Sequence, residues 1–101
     1  MAVMEISVVP IGTSSASVSE YVADCVRVLE EKGVVYEVTP MGTQVEGEPG
    51  RLLEMALQMH KVPFRKGALR VLTTIRIDDR RDKPLTLRGK REAVKRHLEK
   101  R

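Results

Sequence analysis

The sequence predicts an α+β sandwich: a four-stranded antiparallel sheet, two helices on one of its faces, and a third helix added at the C-terminus. Two patterns and one bound carry that prediction. Strand-like and helix-like periods follow one another in the order βαββαβ before a last helical stretch. The second and third strand segments meet at Pro40-Met41-Gly42, which is hairpin chemistry. With 101 residues, 42% of them hydrophobic and 32% charged, the chain has material for one core rather than two. A single domain over 1–101 is expected, with its core over 1–84 and a basic helix over 85–101.

Each element has its own signal. In residues 3–9, Met4, Ile6 and Val8 point one way while Glu5 and Ser7 point the other, the mark of a strand with one buried face. Residues 10–17, PIGTSSAS, form a small, hydroxyl-rich loop. Ser17-Val18-Ser19-Glu20 then fits a capping box, in which serine and glutamate satisfy opposite backbone donors at a helix start. The first helix gathers Tyr21, Val22, Cys25, Val26, Val28 and Leu29 on one broad face, and Gly33 is placed to end it. Residues 34–39 and 42–46 read as the second and third strands. Pro49 suits the first turn of the second helix, which presents Leu52, Leu53, Ala56, Leu57 and His60 at helical spacing. That helix is expected to end before Pro63, because a residue preceding proline is pushed out of the helical region. Residues 69–78 set Leu69, Val71, Thr73, Ile75 and Ile77 against Arg70, Leu72, Thr74 and Arg76. The final helix, from about Thr86, carries a thin stripe of Leu87, Val94 and Leu98.

With the rules that govern hairpins and crossovers, this order gives a ferredoxin-like sandwich with sheet order 4-1-3-2. The end of strand one, the strand two–three hairpin and the end of helix two then converge on one edge of the sheet. The serine loop, Met41-Gly42-Thr43 and residues 60–66 should meet there, and Asp78-Asp79-Arg80-Arg81-Asp82-Lys83 should lie at the opposite edge. The sheet face without helices should carry Glu5, Ser7, Gln44, Glu46, Arg70, Leu72, Thr74 and Arg76. That mixture is apolar enough to predict self-association, as a dimer or a dimer of dimers through the sheet face and the C-terminal helix.

Composition excludes several functions. Cys25 is the single cysteine, so neither an internal disulfide nor a multi-cysteine metal site is available. No apolar run approaches the ~20 residues of a membrane span, and no secretion signal is read at the N-terminus; a cytoplasmic protein without membrane contact is expected. The absence of Asn leans toward a thermophile's composition. The net charge of +4 divides unevenly: residues 80–101 hold ten Lys/Arg against three Asp/Glu, and residues 1–79 hold eight against eleven. A basic tail is poor ground for nucleic-acid binding, and the central strands carry no aromatic ring on which a base would stack. No nucleic-acid partner is expected.

The chemistry-bearing candidates are few. Thr13, Ser14 and Ser15 precede a helix N-terminus, where free N–H groups favour an anion or a polar group; a capped helix behind a polar turn is the plainer account. His60, on the apolar side of helix two, would orient a ligand or shuttle a proton, or simply be a satisfied boundary residue. Arg80 and Arg81 offer anion binding, against an ion-pair network with their neighbouring carboxylates. Adjacent Asp78 and Asp79 point to opposite faces while extended and would not share a metal. With no metal set, no cofactor motif and no activated nucleophile, neither a cofactor nor an enzyme activity is expected.

The segments VPIGTSSASVSEYVA, YEVTPMGTQVEG and RVLTTIRIDDRRDK together resemble the small thiamine-binding-like family, ferredoxin-like proteins of about one hundred residues. Residues 36–47 and 77–83 are the most specific parts of the likeness. The resemblance implies a homo-oligomeric, non-enzymatic binder of thiamine or its hydroxymethylpyrimidine part. Carried over by position, its ligand-facing residues are Gly12, Thr13 and Ser17 in the loop and Met41, Gly42 and Thr43 in the hairpin. Ile11, Met41 and Tyr21 would supply apolar walls, and Glu20 with Tyr21 would be nearest for thiamine's positive charge. The rival expectation is a regulatory module that holds a small anionic effector between subunits through Arg80 and Arg81.

Overall fold

The strand Ala2–Pro10 (β1) lies at the centre of the sheet, and its alternation sorts the molecule into two faces. The computed structural model describes residues 1–13 and 18–100. Among them, α1 (Ser19–Lys32), β2 (Tyr36–Thr39), β3 (Gly42–Gly47), α2 (Pro49–Arg65), β4 (Val71–Asp79) and α3 (Leu87–Glu99) follow β1. The sheet runs β2-β3-β1-β4 with every neighbouring pair antiparallel, the expected order read from the other edge. No helix of the described residues is long and apolar enough to cross a membrane.

Ala2, Met4, Ile6 and Val8 of β1 pack with Val45 of β3 beneath Cys25 and Leu29 of α1 and Leu52, Met55, Ala56, Met59 and Val62 of α2. This core holds nearly all of the large buried side chains, so burial of apolar area here is the main stabilising term. The other residues of β1 face away from both helices, and the register puts Glu5 between Gln44 and Arg76 there. Gln44 Nε2 and Arg76 both donate to the Glu5 carboxylate, at 3.3 and 2.6 Å, and the Arg76 bond holds that carboxyl below its ordinary pKa.

Four sequence expectations need correction. The N-cap of α1 stands one residue later than the capping box placed it, at Val18, which makes no side-chain cap bond; Ser17 lies outside the described residues, and Glu20 pairs with Lys66 at 3.4 Å. The second strand starts at Tyr36, two residues later than expected, although the Glu46 N–H still bonds the Val35 carbonyl at 3.1 Å.

The third correction concerns α2, which passes through Pro63 and ends at Arg65. Proline removes the N–H that would have bonded the carbonyl four residues back. That carbonyl belongs to Met59, and the Cys25 thiol donates to it at 3.4 Å. A side chain of α1 thus replaces the missing bond, and burial of Pro63 in the core favours keeping the helix.

The fourth correction concerns the face expected to be bare. Leu85 and Leu87 pack on Val3 there, forming a second, smaller core. Thr86 caps α3 by accepting from Gly89 N at 2.9 Å, and the Glu46 carboxylate accepts from Leu87 N, also at 2.9 Å. Arg91 reaches Glu37 and Lys90 reaches Asp78, at 2.7 and 2.9 Å. The predicted leucine stripe is therefore split: Leu87 is buried, while Val94 and Leu98 stay 60% and 61% exposed.

Candidate functional site

The β2–β3 hairpin turns in two residues, Pro40 and Met41, between the paired Thr39 and Gly42. The Thr39 hydroxyl closes the turn, donating to the Gly42 carbonyl at 2.7 Å and accepting from Met41 N at 3.3 Å. A Cβ on Gly42 would stand 3.2 Å from the Ile6 carbonyl oxygen and 3.3 Å from Glu5 Cγ, so glycine lets the turn lie close against β1. Thr43 follows on the helix-covered face and is only 4% exposed. Met41 stands at the tip, 84% exposed.

Between this hairpin and the start of α1 lies a cleft of about 190 Å³. Val18 and Val22 of the α1 end, Ile6 and Val8 of β1, and Cys25 and Met59 beneath give it apolar walls and floor, while Thr39, Met41, Gly42 and Thr43 form the hairpin side. Burial pushes the Cys25 thiol up to about 11, with the Asp24 charge adding to the effect. The thiol is protonated at neutral pH and contributes polarity rather than a nucleophile.

A second, wider cleft of about 610 Å³ lies on the other side of the α1 start. Ile11, Gly12 and Thr13 line it with Ser19, Glu20, Tyr21 and the Lys66–Leu69 turn. Lys66 dominates its electrostatics. Its ammonium sits 5.3 Å from the centre of the Tyr21 ring and pairs with both Glu20 and Asp24. The Asp24 bond raises the lysine's pKa above its ordinary value and lowers that of Asp24 below the usual carboxylate value. Both partners hold their charges through the neutral range, so this is a fixed ion cluster and not a proton relay.

The sequence-predicted residues are thus sorted into separate places. Met41, Gly42 and Thr43 share the small cleft; Ile11, Gly12 and Thr13 line the wide one; Ser14 and Ser17 lie outside the described residues. Ile11 and Tyr21 do not wall the same cleft as Met41. His60 joins neither cleft: its Nδ1 lies 2.7 Å from Thr73 Oγ1, and its ring meets Phe64 edge-on at 5.5 Å. Glu20 and Tyr21 do face a cation, but it is the chain's own Lys66. At the far edge, Arg80 grips Asp82 at 2.5 and 2.9 Å, and Arg81 reaches Asp79 at 3.2 Å. Among the described residues no group of His, Cys, Asp and Glu is arranged to hold a metal ion. The sequence reading missed Val22 and Met59 as cleft residues and Lys66 as the ion centre. The spacing of Val22 and Met59 marks them only as core, and Lys66 was signalled only by its place at the end of helix two.

Comparison with known proteins converges on one group. The sequence model of the thiamine-binding protein family matches residues 4–95. The UPF0045 protein YqgV of Bacillus subtilis is 48% identical over 103 residues, which cover 98% of this chain and 99% of that protein. The crystal structure of the hypothetical protein MJ1052 from Methanocaldococcus jannaschii superposes with a TM-score of 0.83 at 32% identity, covering 92% of this chain and 94% of that one. A candidate thiamine biosynthesis/salvage protein of Thermotoga maritima, TM0486, shares the fold with a TM-score of 0.75 at 22% identity, over 92% of this chain and 97% of that one.

Proposed function

The chain belongs to the thiamine-binding protein family, and from that premise we propose that it binds thiamine or its hydroxymethylpyrimidine part, without catalysis, as a homo-oligomer. The observation that carries the reading is the small cleft at the hairpin, with apolar walls, a buried threonine and an exposed methionine at its lip. An aminopyrimidine ring wants such a set: flat apolar surfaces for its faces and one placed polar group for its nitrogen edge. Size narrows the fit further. About 190 Å³ is less than the ~300–1,000 Å³ of pockets that enclose drug-sized ligands. The cleft takes a single ring, and the second ring of thiamine would lie outside, past Met41.

The binder releases what it holds unchanged. The thiol nearest the ligand is protonated, and His60 is turned away toward β4. Self-association uses the open sheet face beside α3, where Val9, Leu72, Val94 and Leu98 are exposed apolar groups. An anionic effector at Arg80 and Arg81 is the weaker reading, since it would have to displace Asp82 and Asp79 from the guanidinium groups.

Thermal unfolding with thiamine, hydroxymethylpyrimidine, sulfate and phosphate tests this reading. A ligand that binds only the folded state adds ~2.7 kcal/mol at a hundred times its dissociation constant. Both pyrimidine compounds should raise the melting temperature of the parent. Thr43→Val, which keeps the volume and removes the hydroxyl, should lose most of that shift while unfolding at nearly the parent temperature without ligand. A response to the simple anions alone would replace the pyrimidine reading with the effector reading.

A further inference from the structure

The lining of the narrow cleft holds polar groups of different kinds. The Thr39 hydroxyl is occupied within its own turn, donating to the Gly42 carbonyl and accepting from Met41 N. The Thr43 hydroxyl is not. Its residue is only 4% exposed, yet it takes no hydrogen-bond partner among the described residues. No described side-chain oxygen or nitrogen that is sealed from solvent lacks a partner. The Thr43 hydroxyl is therefore not sealed, and it opens on the cleft that Thr43 lines.

The floor offers a backbone acceptor. α2 runs through Pro63, and proline has no N–H to give the carbonyl four residues back, which is that of Met59. The Cys25 thiol donates to this carbonyl at 3.4 Å, so the bond joins the two residues beneath the cleft. A thiol is a weak donor, and a carbonyl oxygen has two lone pairs. The Met59 carbonyl thus keeps capacity for a stronger donor that enters beside the sulfur. The thiol's proton is committed to the carbonyl, and its sulfur offers a ligand lone pairs alone. Both polar atoms of the floor are acceptors.

We propose that the floor of the narrow cleft selects a ligand's amino group: an exocyclic N–H donates to the Met59 carbonyl that Pro63 leaves without its helical partner, while Thr43 bonds the ring nitrogen beside it. The selection rests on the reading of the cleft as a pyrimidine site, and it adds which edge of the ring is recognised and by what. The two polar partners have unequal roles. A hydroxyl rotates and both donates and accepts, so Thr43 serves an amino- and an oxo-pyrimidine alike. A carbonyl accepts and cannot donate. Against an amino group it gains a bond. Against an oxo group it meets another acceptor, and the oxo oxygen loses water without gaining a partner. Discrimination therefore comes from Met59 and Pro63, and affinity from Thr43 and the apolar walls.

Equilibrium binding of hydroxymethylpyrimidine and of its oxo counterpart, in which a carbonyl replaces the amino group, tests the selection. The parent should bind the amino compound tighter by on the order of tenfold to a hundredfold, the cost of one buried group left unsatisfied. Pro63→Ala returns an N–H to the helix at the place where Met59 needs it, and Pro63 does not itself line the cleft. In that variant the preference should fall toward unity while the oxo compound binds as before. With methionine labelled at the carbonyl carbon, the Met59 resonance of the parent should move on adding the amino compound and stay in place with the oxo compound.

Equal binding of the two compounds by the parent would overturn the selection and leave the pyrimidine reading standing. Binding of neither would overturn both. A preference that folded Pro63→Ala keeps undiminished would take the discrimination away from the Met59 carbonyl. If Pro63→Ala does not fold, the carbonyl resonance decides alone, and its failure to move with bound amino compound would overturn the contact.

Discussion

The two clefts that flank the start of α1 stand side by side but are built from opposite materials. The narrow one is closed by core residues, Ile6, Cys25 and Met59, and among the described residues no charged side chain lines it. The wide one is closed by Lys66 and its carboxylates, and its residues are largely surface residues. In the first, the wall of the site and the core of the protein are the same atoms. In the second, the lining is made of surface side chains gathered around an ion cluster. A ring recognised by shape belongs in the first. A ligand recognised by charge would have to compete with Lys66 in the second.

The largest effect expected from this contrast is on stability. Met59 is fully buried in the core and also forms the floor of the narrow cleft. Met59→Ala removes buried atoms and enlarges the cleft, and should cost about 2–5 kcal/mol in urea unfolding. If ligand binding uses the same floor, the variant should also lose affinity for the pyrimidine compounds. Lys66→Met in the wide cleft should leave the unfolding midpoint close to that of the parent. Equal destabilisation by the two variants would show that the ion cluster supports the fold as much as the core does.

Next in size is the chemistry of Cys25. With its pKa raised to about 11, the thiolate fraction at pH 8 falls on the order of a hundredfold below that of an ordinary thiol. Alkylation by iodoacetamide should be slower by at least that factor in the folded protein and ordinary in denaturant. Because the thiol lines the narrow cleft, a saturating ligand there should slow it further. Alkylation of the native protein at the denatured rate would mean that the cleft opens readily to solvent.

The architecture was legible because its signals are local and repeated. Alternation in β1 and β4, the Pro-Met-Gly hairpin and the spacing of Leu52, Ala56 and Leu57 each point to one element, and connection rules then leave a single topology. The grouping of Met41, Gly42 and Thr43 followed, since it depends only on which ends meet. The details that were not legible depend on contacts between distant segments. Pro63 reads as a helix stop until Cys25 of α1 supplies a donor to the carbonyl of Met59, thirty-four residues further along the chain. Glu20 reads only as a capping residue, and its ion pair with Lys66 becomes visible when the end of α2 is brought to it. Val3 reads as an ordinary strand residue until Leu85 and Leu87 fold back onto its face.

The smallest effect concerns the ion cluster, and its sign can be worked out in advance. Asp24 has its pKa lowered chiefly by the hydrogen bond from Lys66. A carboxylate with a depressed folded-state pKa contributes stability above its unfolded value, near ~3.9, and loses that contribution as pH falls through the folded value. The Lys66 side of the pair, whose pKa is raised, contributes fully below the lysine's ordinary value and is lost only as pH rises through the higher folded value. The parent should therefore weaken on this account below about pH 4 and again only in strong alkali. In Lys66→Met the titration of the Asp24 carboxyl, followed by NMR, should move up toward the ordinary range, and the acid limb of stability should flatten. If the Asp24 midpoint stays where it is in the parent, Arg27, its other cation, holds the carboxylate, and the wide cleft owes its charge to α1 alone.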